Sequence, residues 1–99
     1  MEKVYVVDDE KSMRDFLEIM LLKEGYEVRT FSDAVDILAC FKERPADLVV
    51  TDVRMPGMDG VELLKELKDI SPDVEVIMMT AYASVDTAIE AIRSGAYDY

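Results

Sequence analysis

Short apolar runs and amphipathic stretches alternate along the chain from its first residues to its last. Val4-Tyr5-Val6-Val7 is a continuous apolar run, the pattern of a strand covered on both faces. Met13, Phe16, Leu17, Met20 and Leu21 then recur at helical spacing, and Gly25 stands where a left-handed residue closes such a helix. Tyr26-Glu27-Val28-Arg29-Thr30 alternates more, which predicts a strand nearer the edge of a sheet. Ser32 is placed to cap a second helix with inner face Ala34, Ile37, Leu38 and Phe41, and Pro45 lies just past its end. Leu48 to Thr51 predicts the third strand. After a turn-rich stretch, Leu63, Leu64, Leu67 and Ile70 mark a third helix ended by Ser71-Pro72. Val74 to Met79 is the longest apolar strand, which predicts a central position. Ser84 then caps a fourth helix carrying Val85, Ala88, Ile89 and Ile92, with Gly95 at its end. Tyr97-Asp98-Tyr99 opens a fifth strand, and the sequence ends there.

Strand–helix alternation repeated in this way means parallel strands joined by right-handed crossovers, an α/β doubly wound sheet. In such sheets the site lies outside the carboxyl ends of the strands, where strand order reverses. Asp8 and Asp9 follow the first strand, Asp52 follows the third, and Thr80 follows the fourth. Each has a bland reading on its own. Asp9 could simply cap the first helix, and Thr80 could simply end a strand. Asp52 is harder to dismiss, because the next helix starts several residues later. Four polar groups at equivalent strand ends mark one crevice rather than a set of caps.

Three carboxylates at close range repel and resist full ionisation unless a positive charge sits among them. A hard divalent cation with oxygen ligands fits that need, and a carboxylate beside it becomes a plausible nucleophile. The stretch Met55-Pro56-Gly57-Met58-Asp59-Gly60 is a shaped loop following Asp52. Pro56-Gly57 favours a tight turn, Asp59 can cap the third helix, and the turn brings main-chain carbonyls near Asp52 to complete a magnesium shell. A phosphoryl group entering there would meet a metal screening its oxygens, Asp52 in line to attack, and Thr80 as a hydrogen-bond donor.

Composition narrows the picture. With 99 residues the chain makes one modest domain, burying roughly 60–65% of its unfolded surface. Eleven Lys and Arg against 22 Asp and Glu give a net charge of −11, which argues against direct nucleic-acid binding. Away from the strand ends, that acidity serves solubility. Cys40 lies in an apolar helical pattern and reads as a small buried hydrophobe. Of the seven methionines, Met13 and Met20 fall in the helical stripe and Met78 and Met79 in a strand, so they read as packing. Met1-Glu2-Lys3 runs straight into a strand, leaving no signal peptide, and no apolar run approaches the ~20 residues of a membrane span. Together these point to a cytoplasmic domain.

Asp8-Asp9, the stretch from Thr51 to Gly60, Thr80-Ala81 and Gly95-Ala96-Tyr97-Asp98-Tyr99 resemble the receiver domain of two-component response regulators, in order and with matching spacing over the whole chain. The resemblance implies a flavodoxin-like sheet of order 2-1-3-4-(5), with the last strand and helix missing, and a receiver domain over residues 1–99 that is incomplete at its carboxyl end. It implies that Asp52 accepts a phosphoryl group from a sensor histidine kinase or a small phosphodonor. Asp8 and Asp9 would hold magnesium together with Asp52 and the main-chain carbonyl of Arg54, in a loop shaped by Pro56, Gly57, Asp59 and Gly60. Thr80 would turn inward to the phosphoryl oxygen and Tyr99 would follow as the aromatic switch, reshaping the face of the fourth helix and fifth strand for partners. The stretch from Ala81 to Tyr99 looks most like receivers of the nitrogen-regulator type, which are fused to an ATPase that activates σ54 polymerase and to a DNA-binding domain.

One departure sets a further expectation. The family needs a lysine three positions past Tyr99 and a fifth helix after it, and the 99 residues stop short of both. Moving an equilibrium from 1:99 to 99:1 takes about 5.5 kcal/mol, whereas one charge-assisted hydrogen bond from Thr80 supplies ~1.5–3 kcal/mol. The expectation is magnesium binding with impaired phosphorylation and incomplete switching. A second is a homodimer or swapped assembly covering the apolar edge from Val74 to Met79. Two rivals stand beside the signalling reading. One is a phosphorylation-independent interaction domain. The other is an aspartyl-phosphate hydrolase, which would show Asp-x-Asp after its first strand where this chain has Asp8-Asp9-Glu10.

Overall fold

The computed structural model describes residues 2–52 and 57–79. Within them the elements run β1 (Lys3–Val7), α1 (Lys11–Lys23), β2 (Glu27–Phe31), α2 (Ala34–Glu43), β3 (Leu48–Asp52), α3 (Gly60–Ile70) and β4 (Glu75–Met79). The four strands form a parallel sheet of order β2-β1-β3-β4. This is the doubly wound α/β arrangement that the alternating pattern predicts. The predicted fourth helix and fifth strand lie outside the described residues.

Register is what builds the site. Val7 is paired with Phe31 of β2 on one side and with Thr51 of β3 on the other. The residues after Val7 and Thr51 are Asp8 and Asp52, so the pairing brings two carboxylate-bearing residues to one sheet end, a strand spacing of about 4.8 Å apart.

Each face of the sheet carries its own core. Tyr5, Val7, Val49, Val76 and Met78 pack against Ile37 and Phe41 of α2 and Leu63, Leu64 and Leu67 of α3. All five helix residues are fully buried, each contributing roughly 1.5–3 kcal/mol of hydrophobic stabilisation. On the other face, Val4, Val6 and Val50 meet Leu17 of α1.

Several expectations are corrected. Of the stripe Met13, Phe16, Leu17, Met20 and Leu21, only Leu17 is buried and Leu21 half-buried. Met13, Phe16 and Met20 are 39%, 60% and 43% exposed. The helix packs on β1 and β2 and turns the line Arg14–Leu17–Leu21 toward the sheet, so the other three fall on its flank. Met13 and Met20 are therefore not core residues among the described contacts. Asp33 rather than Ser32 caps α2, its carboxylate accepting from the Asp36 N–H at 2.9 Å. Cys40 is only partly buried, its thiol donating to the Tyr5 hydroxyl at 3.5 Å. Asp52 is the last residue of β3 rather than the first after it. Among the described strands β4 is no longer than the others, and its predicted central place depends on a fifth strand outside the described residues.

Candidate metal centre

Asp8, Asp9 and Asp52 each present a carboxylate oxygen, and the three atoms lie within 4.8 Å of one another. The trio inferred from strand ends is thus assembled in space. Asp8 is 4% exposed, Asp52 half-buried and Asp9 exposed. The reading of Asp9 as a helix cap falls away, because Glu10 is the N-cap of α1 and makes no side-chain capping bond.

Asp8 is pinned at each of its polar groups. Its N–H donates to the Phe31 carbonyl at 3.1 Å, continuing the ladder to β2. Its Oδ1 accepts from the Glu10 N–H at 2.9 Å, and its carbonyl accepts from Arg14 Nη1 at 2.8 Å. Burial holds the Asp8 carboxyl above its ordinary value of 3.8, against the pull of the Glu10 N–H, and the charges of Asp52 and Asp9 push further upward. In β3, the buried Thr51 hydroxyl donates to the Asp52 carbonyl at 3.0 Å.

The loop leading into α3 follows the turn chemistry read from its residues. Gly57 has φ +82°, and a Cβ there would meet nothing within 4 Å, so backbone conformation alone calls for glycine. The Asp59 carboxylate caps α3, accepting from the Glu62 N–H at 2.9 Å, and buried Gly60 opens the helix. Arg54, Pro56, Thr80 and Tyr99 lie outside the described residues. The sequence argument missed Arg14, Glu10 and Thr51. For Arg14 a signal existed, since it precedes Leu17 and Leu21 by three and seven positions and so shares their sheet-facing line.

An all-oxygen donor set of three close carboxylates, one of them desolvated, suits a hard divalent cation better than a soft one. A cation there would offset both the burial that holds the Asp8 carboxyl up and the repulsion that adds to it.

The family model for the response regulator receiver domain matches residues 4–99. The chain belongs to this family. Its receiver domain is 46% identical over 96 residues to the transcriptional regulatory protein ZraR of Klebsiella oxytoca, covering 97% of this chain and 22% of that protein. Over the same length it is 43% identical to the DNA-binding transcriptional regulator NtrC of Salmonella typhimurium, covering 97% of this chain and 20% of that one. The chain thus spans about a fifth of the length of these relatives. A response regulator from Burkholderia pseudomallei, solved with a phosphorylated aspartic acid, a calcium ion and citrate, superposes with a TM-score of 0.93 at 27% identity. That alignment covers 100% of this chain and 58% of the other. The receiver domain is a regulatory module of a two-component system. No helix among its described residues is long and apolar enough to cross a membrane.

Proposed function

We propose that residues 1–99 form a cytoplasmic phosphoacceptor domain in which Asp52 takes a phosphoryl group from a sensor histidine kinase. The observation carrying this reading is the convergence of Asp8, Asp9 and Asp52 within 4.8 Å at the carboxyl end of the sheet. In the transfer, an Asp52 carboxylate oxygen bonds to phosphorus as the bond to the donor's nitrogen or oxygen breaks, leaving an aspartyl phosphate and the protonated donor. Asp8, Asp9, Asp52 and the Arg54 carbonyl would hold magnesium, which supplies charge screening of the phosphoryl oxygens. The phosphorylated aspartate and calcium in the Burkholderia neighbour support both assignments.

Three features of this chain would do the positioning. Asp8, pinned at its N–H, carbonyl and Oδ1, presents its carboxylate to the crevice. The Thr51 hydroxyl fixes the peptide that leaves Asp52. Gly57 and Asp59 shape the entry into α3. Thr80 would then bond the phosphoryl oxygen and Tyr99 would follow, so that the fourth-helix and fifth-strand face signals to an output region. By its likeness to NtrC and ZraR, that output is a σ54-type ATPase joined to a DNA-binding domain.

Incubation with a small acyl phosphate donor, followed by intact-mass measurement, tests the reading. The wild-type chain gains one phosphoryl group on part of its molecules with magnesium, in keeping with the expected impairment, and none with a chelator. A gain that persists in Asp52→Asn moves the acceptor elsewhere. No gain under any condition leaves the phosphorylation-independent interaction domain as the better reading.

A further inference from the structure

The Asp8 carbonyl belongs to the peptide joining Asp8 to Asp9, and that peptide is planar. Whatever fixes its carbonyl also fixes the plane that carries the Asp9 N and Cα, leaving rotation about the Asp9 N–Cα bond and the side-chain torsions as the freedoms of the Asp9 carboxylate. The group that does so is the Arg14 guanidinium, reaching back six residues from α1 to donate at 2.8 Å. Arg14 is itself anchored, since its N–H donates to the Glu10 carbonyl at 3.1 Å and its side chain lies on the sheet-facing line of the helix. Asp8 has two other anchors, in the ladder to β2 and at the helix start. Asp9 is exposed, and this peptide is the backbone unit that precedes its Cα.

We infer that Arg14 is a positioning residue for the divalent-cation site, holding the Asp8–Asp9 peptide so that both carboxylates face Asp52. The inference rests on the proposed reading of the acid trio as a magnesium site. It has a sign that a simple charge effect lacks. A nearby cation repels a bound dication, so deleting Arg14 for its charge alone would tighten magnesium binding. Deleting it as an anchor loosens two ligands and weakens binding, as removal of outer supports of metal ligands does.

The test compares wild type, Arg14→Met, which keeps the aliphatic stem, and Arg14→Lys, which keeps the charge and a donor. Magnesium chloride titration is followed on the Asp9 and Glu10 amide resonances, with thermal melting of each chain in chelator. Arg14→Met is expected to bind magnesium about tenfold more weakly, with Arg14→Lys within about threefold of wild type because one donor suffices for the single bond. Affinity unchanged or raised in Arg14→Met overturns the inference. So do equal losses in both variants, or an Arg14→Met chain already unfolded in chelator, since either makes the arginine a packing residue first. Magnesium without effect on wild-type amides would instead refute the underlying metal reading.

Discussion

Replacing Asp8 by Asn removes one charge from the tightest part of the acid trio while keeping the shape of the side chain. Two unit charges at 4.8 Å, the outer limit of the spacing within the trio, repel by about 3.5 kcal/mol at an effective dielectric constant of ~20 and about 0.9 kcal/mol in bulk water. Asp8 is buried and faces Asp52 and Asp9, so two such repulsions disappear in the variant. Against this, the bond from the Glu10 N–H loses its charged acceptor, which costs about 1 kcal/mol. Because Asp52 is half-buried and Asp9 exposed, the water-like figure applies to each repulsion, and the metal-free chain should gain about 1 kcal/mol at neutral pH, a rise in Tm of roughly 4–8 °C for a domain of this size. The pH dependence follows from the direction of the shift. The Asp8 carboxyl sits above 3.8 in the folded chain, so the native state holds this proton more tightly than the unfolded one. As far as Asp8 is concerned, wild-type stability falls as pH rises from 3.8 through the raised value. The advantage of Asp8→Asn is then full at neutral pH and disappears as pH falls toward 3.8. Circular-dichroism melts in chelator at low salt, at several pH values, measure both effects. Magnesium added at neutral pH should raise the Tm of wild type more than that of Asp8→Asn. A metal-free Asp8→Asn chain less stable than wild type at neutral pH would refute the electrostatic account of the trio.

Asp59→Ala should destabilise the domain by about 1 kcal/mol through loss of the α3 cap, with a matching fall in the urea midpoint. Gly57→Ala should cost about 1–2 kcal/mol by forcing a side chain to φ +82°, and Gly57→Asn should cost less. The Tyr5 hydroxyl donates to the Arg44 carbonyl at 2.5 Å, and burial pushes its pKa up to about 12. Tyr5→Phe should lower stability by about 0.5–1.5 kcal/mol in denaturant melts, and its absorbance titration should lose the component near pH 12.

The sheet and the acid trio were legible because they depend on local signals that tertiary structure had no reason to override. Val4 to Val7 and Leu48 to Thr51 are apolar on both faces, and an acid immediately after each strand lands at the same sheet end once the strands pair in parallel. The turn at Gly57 and the cap at Asp59 were equally readable from residue type. What was not legible depended on which way an element turns. Periodicity makes Met13, Phe16 and Met20 equivalent to Leu17. The docking of α1 on β1 and β2 selects the line through Arg14, Leu17 and Leu21 instead. Of the three bonds that pin Asp8, the one to the Phe31 carbonyl exists only after β1 and β2 have paired, whereas those from Glu10 and Arg14 are local and close once the chain turns into α1. Ser32 and Asp33 are both good caps one position apart, and only the backbone decides between them.

The central claim is that Asp52, among many carboxylates, is the one that carries the phosphoryl group. Reductive trapping addresses it at single-residue level, because borohydride converts an aspartyl phosphate to homoserine and leaves free carboxylates unchanged. The chain would be treated with phosphodonor and magnesium, reduced, digested and sequenced by mass spectrometry. The account predicts homoserine at position 52 and nowhere else. Homoserine at position 8 or 9, with position 52 still aspartate, would contradict it.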